Sequence, residues 1–83
     1  MRLMTRRSTP FTAPAEGVWT EEVGTITGAL ELRTTCDGNG DLVAHVRYSG
    51  ALDWYTVRGG RARLHDVRDH DPVHTLLVNV LRR

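Results

Sequence analysis

The sequence predicts a small α+β domain, an antiparallel β-meander of four to five strands with one C-terminal helix packed on one face. Three observations carry this expectation. Runs of strand-forming residues between Gly28 and His65 alternate with glycine-bearing turns. The turn lengths place the apolar residues of successive runs on a common face. Beyond His65 the apolar pattern changes from the strand period to the helical one.

Residues 1–17 mix Arg, Ser, Thr, Ala, Pro10 and Pro14 without either period, and are expected to form a flexible N-terminal arm anchored by Phe11. The domain itself is expected to span residues 18–83. Between Val18 and Thr27 the stretch VWTEEVGTIT reads as an edge strand broken or bulged at Gly24, with Glu21 and Glu22 discouraging another sheet from docking.

Register arithmetic orders the meander. Two-residue turns at Asn39-Gly40 or Gly38-Asn39 would set Leu32 against Arg47 or His45, so neither keeps the faces in phase. A three-residue loop, Gly38-Asn39-Gly40, pairs Leu30 with Tyr48, Leu32 with Val46 and Cys36 with Leu42, and Gly40 suits its left-handed position. Next, a two-residue turn at Gly50-Ala51 pairs Val46 with Tyr55 and Ala44 with Val57. A tight turn at Gly59-Gly60 then sets Val57 against Ala62 and Tyr55 against Leu64.

The helix is expected to open at Asp71-Pro72, with Asp71 as N-cap and Pro72 at the first helical position. Val73, Leu76, Leu77, Val80 and Leu81 recur at helical spacing and form the stripe expected to lie on the sheet. Arg82 and Arg83 stand at the favourable end of the helix dipole. A strand is the rival reading of TLLVNVL, and the stripe favours the helix.

Composition bounds the function. The 83 residues make one small globular domain, and a formal net charge of +1 gives no global field for gathering polyanions. All eleven cationic side chains are arginine, which most simply reflects GC-rich codons. The lone Cys36 excludes an internal disulfide, and a reducing compartment fits. The N-terminus shows no leader-like or membrane-spanning apolar run, so a cytoplasmic protein without a membrane partner is expected.

Charge is local instead. The outward face of the meander collects Glu31, Arg33, Thr35, Val43, His45, Arg47, Trp54, Thr56, Arg58, Arg61, Arg63 and His65. The register sets Glu31, Arg47, Trp54 and His65 in one row, and Arg33, His45, Thr56 and Arg63 in the next. An aromatic ring among arginines on a β-surface can stack a base while guanidiniums reach phosphates. The candidate binding residues are therefore Arg33, His45, Arg47, Trp54, Arg58, Arg61, Arg63 and His65, with single-stranded nucleic acid or an acidic protein as partner. The alternative is an ordinary solvated face, with Trp54 covered by Arg stems or by Trp19, Val23 or Phe11. So thin a core also points to a homo-oligomer.

No catalytic signature or cofactor fingerprint stands in the chain. Asp37-Gly38-Asn39-Gly40-Asp41 imitates the start of a calcium loop, but Leu42 occupies the glycine position and Tyr48 the closing glutamate position. His65, His70 and His74, interspersed with Asp66, Asp69 and Asp71, are the only dense group of potential metal ligands, and their spacing is permissive. Cys36 and His45 are predicted on opposite faces, which denies a nucleophile-base pair. A non-catalytic binding module without a cofactor is expected, with a structural or protein-partner module as alternative and a metal-dependent enzyme built on His65, His70 and His74 as a second.

Overall fold

The computed structural model describes residues 4–82. Residues 1–3 of the expected arm, and Arg83, lie outside them. Six antiparallel strands form one sheet: β1 (Thr5–Thr12), β2 (Val18–Thr20), β3 (Gly24–Ile26), β4 (Ala29–Cys36), β5 (Asp41–Tyr48) and β6 (Tyr55–Arg63). A 3-10 turn, Val67–Asp69, leads into helix α1 (His70–Leu81). Strand order across the sheet is β1-β4-β5-β6-β2-β3. The α+β class and the C-terminal helix are as expected; the strand count is six rather than four to five.

The β4–β5 hairpin has the register derived from the loop length. Leu30 faces Tyr48, Leu32 faces Val46 and Cys36 faces Leu42. Gly40 adopts φ 87°, and a Cβ there would run into the Leu64 carbonyl, so the loop needs glycine for conformation and for space. The Asp37 carboxylate accepts from the Asn39 and Asp41 amides at 2.8 and 3.1 Å. That turn chemistry accounts for the DGNGD run.

Three expectations about the strands require correction. First, residues 5–12 of the supposed arm are β1, paired along its whole length with β4 from Thr5 opposite Cys36 to Thr12 opposite Ala29. Pro10 lacks an N–H and is tolerated because β1 is an edge with one neighbour. Second, the broken edge strand is a hairpin, β2–β3, turned by Glu21–Val23 and joined to β6 by the Thr20–Val57 bridge. Third, Gly59-Gly60 is not a turn. β6 runs straight through it, and between Thr56 opposite His45 and Arg61 opposite Val43 the residues 57–60 bulge against Ala44 alone. Val46 does pair with Tyr55, but through a longer connection between Tyr48 and Tyr55 rather than through a two-residue turn at Gly50-Ala51. Its turn centres on Ser49-Gly50, the Ala51 amide donating to the Tyr48 carbonyl at 2.9 Å. The pairings Ala44–Val57, Val57–Ala62 and Tyr55–Leu64 do not form. Gly59 takes φ 73°, and a Cβ on Gly60 would stand 2.9 Å from the Val57 carbonyl oxygen and 3.1 Å from the Ala44 Cβ. The glycine pair lets the bulge close against β5.

Phe11 of β1 shares one buried cluster with Val18 of β2, Ile26 of β3, Leu30, Leu32, Ala44, Val46, Val57 and Val78. Strands at opposite ends of the order meet there only if the sheet curls, and α1 closes the concave side. The helix starts at His70, earlier than expected, so Pro72 falls in its first turn, where amides have no intrahelical acceptor. It is also rotated. His70, His74 and Val78 are its buried residues, whereas Leu76 and Val80 of the expected stripe are 61% and 56% exposed.

Candidate functional site

Alternation along β1, β4 and β5 sends Arg6, Ser8, Glu31, Arg33, Thr35, Val43, His45 and Arg47 to the convex face, because cross-strand partners share a face. Trp54, in the loop before β6, lies over this surface. The Arg33 guanidinium stacks 4.0 Å from its ring centroid and that of Arg47 stands 4.5 Å away. The tryptophan is therefore a base on which two guanidiniums are layered, a favourable cation–π geometry.

The two arginines differ in what surrounds their charge. Arg47 donates from Nε to Glu31 at 2.7 Å and from Nη1 to the Ala51 carbonyl at 3.1 Å. Arg33 has no carboxylate partner among the described residues, and its Nε is buried without a hydrogen bond. Burial foremost, then the neighbouring Arg6 and Arg47, push its guanidinium below the ordinary arginine value, against the pull of Glu31. Opposite it, His45 also has a buried, unbonded atom, Nδ1. Burial foremost, then Arg33, lower the His45 pKa against the opposite pull of Glu22 and Glu21.

Of the eight residues expected to bind, the structure gathers Arg33, His45, Arg47 and Trp54. Arg58, in the bulge, lies over the Trp19 ring at 5.0 Å instead. Arg61 faces Val43 and reaches Glu21 at 3.5 Å; Arg63 faces Asp41, with 3.9 Å between the charged groups. His65 follows β6 and is exposed, outside the row in which it was expected. The loss of the Gly59-Gly60 turn causes this dispersal, since Arg61 and Arg63 move along β5 rather than back beside Trp54. Arg6 was missed because the arm was given no register. The alternation of Thr5, Arg7, Thr9 and Phe11 with Arg6, Ser8 and Pro10 was the available signal. Glu22 was missed too: its carboxylate accepts from the Thr56 amide and hydroxyl, each at 2.7 Å, and these bonds lower its pKa.

On the concave face the histidines have a different setting. His70 bonds Thr5 through Nδ1 at 2.6 Å and Thr34 through Nε2 at 2.7 Å. His74 bonds Thr34 through Nδ1 at 2.7 Å and Thr9 through Nε2 at 2.8 Å. Among the described residues no three His, Cys, Asp or Glu side chains gather as a ligand set. Cys36 is buried on this same side, its thiol pKa raised by burial first and then by Asp37 and Asp41. It therefore faces away from His45. No helix among the described residues is long and apolar enough to cross a membrane. No protein-family model, curated protein or solved structure matches the chain.

Proposed function

We propose that the protein is a non-catalytic binding module whose convex sheet face docks an anionic partner, with single-stranded nucleic acid as the specific candidate. One observation carries the reading: Arg33, partly buried between Arg6 and Arg47, lacks any carboxylate partner among the described residues. Like charges held close together, one of them partly buried, repel unless an opposite charge arrives, and a phosphate supplies it. The layered guanidiniums suit a nucleic-acid strand. A base stacks on an arginine plane as it does on an aromatic ring, so the guanidinium layered on Trp54 offers the stacking surface in place of the bare indole.

Trp19 and Trp54 both fluoresce, so the test uses Trp19→Phe to isolate the Trp54 signal. Titration with a short single-stranded oligonucleotide at two salt concentrations is expected to change that signal, with affinity falling steeply as salt rises. Arg33→Ala in the same background is expected to lose most of the response. An unchanged Trp54 signal at low salt refutes the nucleic-acid reading and favours a module for protein partners.

A further inference from the structure

We propose that the chain of hydrogen bonds Thr5–His70–Thr34–His74–Thr9 is a proton-sensitive latch, which holds α1 on the sheet while its imidazoles are neutral and releases the helix as they take up protons. The geometry is closed. Four hydrogen bonds of 2.6 to 2.8 Å join three threonine hydroxyls to all four ring nitrogens. Thr34 is 0% exposed, His70 2% and His74 6%, so the central hydroxyl is closed off from solvent.

Counting hydrogens shows what the latch tolerates. A neutral imidazole has one N–H and one acceptor nitrogen, and a hydroxyl has one hydrogen to give. When Thr34 donates to His70, both rings carry their proton on Nδ1. His70 then donates to Thr5 and His74 to Thr34, while Thr9 donates to His74. When Thr34 donates to His74 instead, both rings carry the proton on Nε2 and every bond reverses. Both arrangements are complete. One added proton is still accommodated, because Thr34 turns its hydrogen toward whichever ring remains neutral. A second is not: both rings then donate to one oxygen, the Thr34 hydrogen has no acceptor in the chain, and two cations flank a buried hydroxyl.

The charges around the latch partly offset one another. From β1, Arg7 opposes protonation of both rings; Asp71 on α1 favours it and is ion-paired to Arg7. From the 3-10 turn, Arg68 is held by Asp66 at 2.7 Å. β4 contributes Leu30, Leu32, Thr34 and Cys36 on this side, with no charge at neutral pH. Burial is the largest cause lowering the His70 pKa, followed by Arg7; for His74 it is burial, then His70. Folded-state values below the ordinary 6.5 make the contribution complete above that pH, and it is lost as pH falls from there through the folded-state values. A cleft of about 340 Å³ lined by Thr5, Arg7, Val67, Arg68, His70 and Asp71 gives solvent protons an approach.

The test is amide hydrogen exchange on the full chain between pH 7.5 and pH 5.0, corrected for intrinsic rates. The opening constant of α1 is expected to rise by up to about 100-fold per pH unit where two protons are taken up, while β5 amides stay protected. His45→Gln removes an imidazole from the opposite face of the sheet and is expected to leave this response in place. His70→Gln with His74→Gln keeps donors and acceptors without a titrating group and is expected to flatten it. Should that variant fail to fold, NMR titration of the native rings decides, since release requires both imidazoles to protonate in step with loss of α1 protection. Equal α1 protection at both pH values, or loss of α1 and β5 protection together, overturns the latch.

Discussion

The two faces of β4 put polar chemistry under opposite conditions. On the concave side Leu30, Leu32, Thr34 and Cys36 are at most 1% exposed, and the polar member bonds both histidines of α1. On the convex side Arg33 and its neighbour His45 each hold a buried polar atom without a partner. Residues one position apart thus separate into a saturated set and an unsaturated one. Burial of polar atoms is ordinary where each is bonded; burial without a partner is the feature that calls for an explanation. The concave network explains how the helix is held, and the convex face keeps two buried polar atoms without a partner, Arg33 Nε and His45 Nδ1.

The largest effect tests the faces themselves. Leu32→Asp places a carboxylate at a position that is 0% exposed, beside Val46, and is expected to unfold the domain. A fold this small holds roughly 3–5 kcal/mol in reserve, less than an unpaired buried charge demands. Arg33→Asp, one residue along, is expected to retain the far-UV circular dichroism and cooperative melt of the parent. Equal effects of the two substitutions would erase the distinction between faces. A smaller loss is expected from Thr34→Val, which keeps the shape but strips a partner from each histidine. Two unpaired buried nitrogens correspond to about 2–4 kcal/mol by urea denaturation. Thr34→Ser keeps the hydroxyl, loses a methyl and is expected to cost about 1 kcal/mol.

That same network decided which parts of the fold were legible. The β4–β5 register was readable because apolar alternation and loop length had a single joint solution. β1 was not, because its concave residues are Thr5, Arg7, Thr9 and Phe11, three polar side chains that serve α1 rather than an oily core. The helix was recognised, but its apolar stripe misled about rotation, since hydrogen bonding turns His70 and His74 inward and leaves Leu76 and Val80 out. At Gly59-Gly60 local sequence permits a turn or a bulge equally. Tertiary structure chooses: Thr20 of β2 bridges Val57 on one side, and Leu42 and Val43 take Ala62 and Arg61 as partners on the other. Of the candidate face, the β4–β5 rows were visible, whereas Arg6 and the positions of Arg58, Arg61, Arg63 and His65 depended on the misread elements.

The smallest stability effect is the most informative about the convex face. Glu31 pairs with Arg47 at 2.6 Å, both side chains being about one quarter exposed (25% and 28%). Replacing it as Glu31→Gln keeps an oxygen for the Arg47 Nε but removes the negative charge, so the expected cost is under about 1 kcal/mol. Affinity for an oligonucleotide is expected to move the opposite way, because Arg47 then joins Arg33 without a competing carboxylate. One additional phosphate contact would steepen the logarithmic salt dependence by about 0.7 for a single strand. If Glu31→Gln weakens binding instead, Glu31 acts by fixing Arg47 over Trp54, and orientation of the layered guanidiniums outweighs net charge in setting the affinity of this face.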